Sequence, residues 1–218
     1  MEGPELDPEF WHERWTENRI GFHQEKPNPL LVAHWSKMGL AREDRVFVPL
    51  CGKTLDIAWL LAQGHRVAGA ELSEVAIRDL FEALGTKPSV SKIGSLKHYS
   101  ATALDIFVGD IFDLTTEALG PVQVVFDRAA LVALPAEMRT RYADHLATIT
   151  QYARQMLITF EYDQDAMSGP PFSVPDPEVH QHYSEGFEIE KLSSADVDGG
   201  LKGICPALET LWAIRPKA

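Results

Sequence analysis

The chain has 218 residues, 45% of them hydrophobic and 24% charged, and carries a formal net charge of −12. That composition supplies a sizeable core for a single domain, while the acidity argues against nucleic acid or an anionic membrane as a partner. Two cysteines, Cys51 and Cys205, exclude a disulfide framework or Cys-rich zinc site and suit a reducing cytosol; the acidic start MEGPELDPEF has no secretory h-region, and no apolar run nears the ~20 residues of a membrane span.

Residues 1–44 precede any repeating pattern. Trp11 and Trp15, four apart, predict a helix; a turn-like RIGFHQEKPNP follows, then a second helix with Asn28 as cap and Pro29 at its first position. From residue 45 short apolar strands alternate with longer helical stretches. RVFVPL (45–50) predicts a buried strand, TLDIAWLLAQG (54–64) a helix closed by Gly64, and HRVAGAEL (65–72) the next strand. Ser73 caps EVAIRDLFEAL, whose Val75, Ile77, Leu80, Phe81 and Leu84 make one apolar face ended by Gly85. LDIFVGDIFDL (104–114) is a third strand with its loop, and VQVVFDR (122–128) a fourth. A helix from about Pro135 to Ala153 leads into a fifth strand, QMLITFEYD (155–163). Four prolines in SGPPFSVPDPEV (168–179) argue against regular structure there. FEIEKLS (187–193) and ALETLWAI (207–214) predict a closing antiparallel pair. The expected fold is α/β: a mostly parallel, seven-stranded sheet with helices on both faces and an N-terminal helical cover. Ligands in such sheets lie beyond the carboxyl ends of the strands.

The loop FVPLCGKTLD (47–56) falls at that edge. GKT resembles the end of a phosphate-binding loop, but the glycine required five positions before Gly52 is Phe47. A dinucleotide needs close backbone approach, which Pro49, Leu50 and Cys51 do not offer. S-adenosylmethionine carries no phosphate, so one tight turn at Gly52 suffices. Glu71, ending the second strand, is placed to accept both ribose hydroxyls, and Asp110, after the third, to meet the adenine amino group. Acids at strand ends are also ordinary solvated loop residues, so the succession of the three features carries the reading.

The segments FWHERWTENRIGFHQEKPNPLL, VPLCGKTLDIAWLLAQGHRVAGAELSE, GDIFDL, FDRAALVALPAEMRTRYADHL and EYDQDAMSGPPFSVP resemble, in order and over nearly the whole chain, the thiopurine S-methyltransferase family, in particular its bacterial branch. IGFHQ, PLCGK, FDRAAL and GPPFSVP are far more specific than a generic methyltransferase pattern. The resemblance implies a class I, Rossmann-like methyltransferase that moves a methyl group from S-adenosylmethionine to an aromatic or heterocyclic thiol. It implies that Trp15, Leu50, Glu71 and Arg128 hold the cofactor, with Asp110 and Ile111 at the adenine. Trp11 and Phe22 belong to the matching segment that covers cofactor and substrate. Bacterial relatives are also associated with selenium and tellurium compounds as acceptors.

Methyl transfer from a sulfonium needs alignment and water exclusion more than acid–base chemistry, and the faces of Trp11, Trp15 and Phe22 can shield and attract a cation. The competing account is that the tryptophans only pack the N-terminal helix. Asp127 and Arg128 end the fourth strand: Arg128 can attract a thiolate or contact the cofactor, and Asp127 can orient it or take a proton through water. An ion pair tying two strands is the alternative. In GPPFSVP, Pro171 and Phe172 are expected to form a rigid rim on the substrate side, with a purely structural crossover as rival. Cys51 needs no chemical role, His23 positions its turn, and His180 and His182 lack the further ligands of a metal site. Animal members carry a basic residue before the last strand, where DGGLKGICP offers only Lys202.

The expectation is thus one methyltransferase domain over residues 1–218, with 1–44 as cover and 45–218 as core. It is monomeric and cytoplasmic, takes a small-molecule thiol or chalcogen acceptor, and has neither nucleic-acid nor membrane partner and no metal. Rivals are a cofactor-binding scaffold without turnover and a P-loop phosphotransferase.

Overall fold

The computed structural model describes residues 8–21 and 23–217. Its described strands form one nine-stranded sheet. In chain order the strands are β1 (Arg45–Val48), β2 (Arg66–Glu71), β3 (Ser89–Ile93), β4 (Leu96–Ala101) and β5 (Leu104–Val108), then β6 (Val124–Asp127), β7 (Arg154–Glu161), β8 (Phe187–Asp196) and β9 (Leu208–Pro216). Their spatial order is β3-β4-β5-β2-β1-β6-β7-β9-β8. The middle strands, β5 to β7 in that order, pair in parallel. The flanks, β3-β4 against β5 and β9-β8 against β7, are antiparallel.

The seven strands read from the sequence are all present, and β3 and β4 are added to them. This hairpin is an outer ribbon: β3 is almost wholly exposed, so it lacks the apolar run that marks a buried strand, and Gly94 makes the turn at a φ of 60°.

Helices cover both faces. Helices α2 (Pro29–His34), α3 (Leu55–Ala62) and α4 (Glu74–Ala83) pack on one side, where Leu31, Ile57, Leu60, Ile77 and Leu80 meet Val46, Val67, Phe126 and Ile158. Helices α5 (Thr116–Leu119), α6 (Ala136–Ile149) and α7 (Asp176–Tyr183) lie on the other, where Tyr142, Leu146, Val179 and Tyr183 meet Phe47, Val125 and Leu157. The period-two alternation of each parallel strand is therefore apolar on both faces, as a sheet buried on both sides requires.

The caps follow the sequence signals. Asn28 accepts from Leu30 and Leu31 N–H at 2.9 and 3.3 Å, Thr54 from Asp56, and Ser73 from Ala76. Two boundaries differ. The helix expected over 135–153 stops at Ile149, because Gln151 and Tyr152 turn at φ of 53° and 58°. The proline-rich 168–179 is not irregular throughout. From Asp176 it is α7, since prolines at the start of a helix sacrifice only N–H groups without intrahelical partners.

Helix α1 (Pro8–Thr16) lies against α4 and buries Trp15. The second N-terminal helix is fastened to the sheet side through Trp35, whose indole N–H donates to His65 Nε2 at 2.9 Å.

Candidate active site

The carboxyl ends of β1 and β2 are joined by a single side chain. Glu71 Oε2 accepts the Gly52 N–H at 2.8 Å and Oε1 the Ser73 N–H at 2.8 Å. Burial pushes this carboxyl up, and the backbone N–H groups of Ser73, Gly52 and Leu72 hold it down. These bonds do not exhaust the acceptor positions of the two oxygens, so the carboxylate keeps capacity for a ligand.

The turn itself is bent by Leu50 at φ 45° and Gly52 at φ 51°. A Cβ on Gly52 would stand 2.8 Å from the Trp15 ring, so the glycine is what lets the indole lie on the turn. Cys51 sits beneath it, buried, and its thiol is pushed well up by burial and by the Glu71 charge; no nucleophile is available there.

The same geometry answers the phosphate reading. In a P-loop the glycine amide, the lysine and the threonine all face phosphates. Here the Gly52 amide is given to Glu71, Lys53 Nζ pairs with Asp79 at 2.8 Å, and the Thr54 hydroxyl donates to Asp56 at 2.8 Å. With these donors engaged inside the protein, the loop does not offer the set a triphosphate requires.

Asp110 and Ile111 follow β5, whose end is tied to Glu71 by the Gly109 N–H on the Glu71 carbonyl at 2.9 Å. Asp110 is exposed and caps Phe112 N–H at 2.9 Å, while buried Ile111 has its carbonyl held at 2.8 Å by His145 Nε2 of α6. That bond fixes the loop's height above the sheet. Trp11 is half-buried on α1 and meets Phe10 edge-on at 5.2 Å between ring centres. Phe22 lies outside the described residues.

Asp127 and Arg128 part company. Asp127 is completely buried, and its oxygens accept Leu131 N–H at 3.0 Å and Tyr142 O–H at 2.8 Å. Desolvation pushes it up to about 6 against those bonds. It faces α6 with Val125, away from the ligand side, so the acid expected to take a proton is instead a brace for the turn after β6. Arg128 points to the other face. Its guanidinium is lowered by burial, opposed by the charges of Asp56 and Glu209. His23 of the N-terminal segment is lowered by burial and then by Lys53 and Arg128, opposed by Glu25 and Asp56. Arg128, Asp56 and Glu209, with the His23 imidazole beside them, therefore form one polar cluster at the carboxyl edge.

Asp56 and Glu209 escape a sequence reading centred on strand ends. Asp56 is buried in the first turn of α3, where Oδ1 accepts the Asn28 N–H at 2.7 Å and Oδ2 the Thr54 hydroxyl, so it clasps the N-terminal segment to the loop. Its signal is the Thr54-Leu55-Asp56 start of a helix. The signal of Glu209 is one charge in the apolar strand ALETLWAI.

The proline-rich rim is pinned from three sides. Phe172 N–H donates to the Val132 carbonyl at 2.6 Å, Tyr162 O–H to the Pro171 carbonyl at 2.6 Å, and Lys202 Nζ to the Pro170 carbonyl at 2.6 Å. Pro171 and Phe172 remain half-exposed. Lys202 thus ties the last loop to the rim. His180 and His182 pair with Asp176 and Glu178 at 3.2 and 3.1 Å, and among the described residues no group of side chains could hold a metal.

Solved structures of similar fold include a Burkholderia thailandensis 1,6-didemethyltoxoflavin-N1-methyltransferase with bound S-adenosylhomocysteine, 16% identical with a TM-score of 0.64 over 100% of this chain and 94% of that one. Another is a SAM-dependent methyltransferase from Anabaena variabilis, 13% identical with a TM-score of 0.63 over 100% and 98%. Among curated proteins, a thiopurine S-methyltransferase of Xanthobacter autotrophicus is 53% identical over 96% of this chain and 99% of its own. That of Teredinibacter turnerae is 48% identical over 94% and 95%. The family model described as thiopurine S-methyltransferase matches residues 6–205, and the chain belongs to that family.

Proposed function

We propose that the protein is an S-adenosylmethionine-dependent S-methyltransferase acting on thiopurines and other aromatic or heterocyclic thiols, with selenium or tellurium compounds as further acceptors. The observation that carries this reading is the Glu71 carboxylate, buried between the amides of Gly52 and Ser73 and still able to accept from two neighbouring hydroxyls. Such a site grips the sugar of a nucleoside without calling on any phosphate.

The donor supplies an activated methyl group on a sulfonium. Everything else asked of the chain is holding, shielding and charge. Glu71 and the Gly52 turn hold the ribose side, with Asp110 and Ile111 beside the base. Trp15, lying on the turn, and Trp11 keep water from the cation and attract it with their ring faces. Arg128 presents positive charge to the sulfur of the acceptor in its thiolate form. Pro171 and Phe172 form the acceptor's rim, and residues 1–44, the segment to which Phe22 belongs, act as the cover over a core of 45–218. The acidic charge and a small-molecule acceptor suit a cytoplasmic monomer with no nucleic-acid or membrane partner, and no described helix is long and apolar enough to cross a membrane.

The test is incubation with labelled S-adenosylmethionine and a panel of thiopurines, aryl thiols, selenite and tellurite. Label transferred to a thiol is the expected result. Donor binding without transfer to any acceptor would instead favour a scaffold.

A further inference from the structure

The reaction proposed above takes up a thiol, R–SH, and yields a thioether, so a proton must leave the acceptor. Asp127 is sealed on the far face of the sheet, and Asp56 has both oxygens engaged. Glu209 is placed differently. On β9 it stands opposite Phe160 of β7 and Ala195 of β8. It therefore shares the face of Leu211 and Ala213, which pack with α3. Arg128, one step beyond β6, continues the side of Phe126 and so points to that same face. A carboxylate and a guanidinium from two strands flanking β7 are thus aimed together at the carboxyl edge.

Among the described residues, no hydrogen bond and no ion pair within 4.0 Å engages the half-buried Glu209 carboxylate. For a charge withdrawn from solvent this leaves unused acceptor capacity.

We propose that Glu209 receives the proton of the acceptor thiol, a role that rests on the S-methyltransferase reading. The S–H bond breaks and an O–H bond forms on Glu209; the sulfur keeps the electron pair as thiolate, and Arg128 exchanges the lost carboxylate charge for the new one. After methyl transfer the proton passes from Glu209 to solvent. Burial pushes the Glu209 carboxyl up while Arg128 holds it down, which moves it toward the range in which a carboxylate is an effective base. The other charges around it are few. Phe160 and Ala195 bring none from the adjoining strands, Glu161 and Asp196 lie one rung away on the opposite face, and Asp56 and His23 reach it through Arg128.

The decisive measurement is a proton count on the wild-type protein with S-adenosylhomocysteine bound, so that no methyl transfer intervenes. A thiol protonated at neutral pH, whose thiolate absorbs distinctively, is titrated in buffers of different ionisation heat. Thiolate formation without proton release to the buffer is expected; release of one proton per thiol bound overturns the proposal. In Glu209→Gln, kcat/KM should fall on the order of 100-fold for that thiol and far less for one already ionised at the assay pH. Equal losses for both, with S-adenosylhomocysteine affinity kept, would mark Glu209 as a mere counter-ion and also overturn it. If the wild type methylates no thiol at all, the S-methyltransferase reading falls instead. If Glu209→Gln does not fold, the wild-type proton count decides alone.

Discussion

Replacing Asp127 by Asn separates a brace from a base. In the folded protein the carboxyl titrates at about 6 rather than the ordinary 3.8, because burial outweighs its bonds from Leu131 and Tyr142. That difference corresponds to about 3 kcal/mol. The sign follows from which state holds the proton. Between pH 4 and 6 the unfolded chain has lost it and the folded chain keeps it, so stability falls by about 3 kcal/mol as pH rises across this window and stays reduced above it. Asn keeps the shape: its Oδ1 can still accept the Leu131 N–H, and its Nδ2 can donate to the Tyr142 oxygen, while nothing ionises. The variant should therefore lose the decline between pH 4 and 6 and be at least as stable as wild type at pH 7. Because the carboxylate faces α6 and not the ligand side, methyl transfer should fall less than about tenfold, against the 100-fold or more typical of a lost general base. Urea titrations at pH 4.5 and 7 with parallel kcat/KM measurements supply both numbers. A Asp127→Asn protein with the wild-type pH dependence of stability, or one as stable as wild type but inactive, would refute the reasoning.

Three further substitutions test the ligand side. Glu71→Gln turns one amide N–H₂ toward a backbone N–H and removes the charge proposed to hold the ribose, so S-adenosylhomocysteine should bind about 10- to 100-fold more weakly by calorimetry, the equivalent of one or two charge-assisted hydrogen bonds. Gly52→Ala places a methyl 2.8 Å from the Trp15 ring at a φ that costs a non-glycine residue about 1–2 kcal/mol; weaker hydrogen-exchange protection of residues 8–16 and a changed tryptophan emission are expected. Asp56→Ala leaves the buried Asn28 N–H without its acceptor, costing about 1–3 kcal/mol in a urea titration and loosening the start of α2 in hydrogen exchange.

Much of the fold is legible because its signals are local and agree with one another. Each parallel strand is a largely apolar run, and Asn28, Thr54 and Ser73 cap the helices where the pattern begins. What escapes is what lacks a buried face. The β3-β4 hairpin is wet on its outer strand, so SVSKIGSLKHYSA shows polarity where a strand reading looks for a hydrophobic run. The α7 helix hides behind two prolines that are harmless in a first turn and read as breakers elsewhere. In the same way the Gly52–Glu71 clasp follows from two strand ends being neighbours in a parallel sheet. The Asp56–Asn28 clasp joins segments whose proximity only the packed structure reveals.

The pairing of Asp127 with Arg128 shows where adjacency in sequence misleads. Strand residues alternate faces, and in VVFDR the apolar neighbours already assign them: Val125 and Asp127 share one side, Phe126 and Arg128 the other. Two charged residues side by side at a strand end thus belong to different environments, one dry and hydrogen-bonded within the protein, the other turned to the ligand edge. The acid whose charge acts on Arg128 from across the sheet is found by applying the same alternation to β9, where Leu211 and Ala213 fix the facing of Glu209. Face parity joins Arg128 to an acid at the far end of the chain, and it does so by the same rule that separates it from the acid next door.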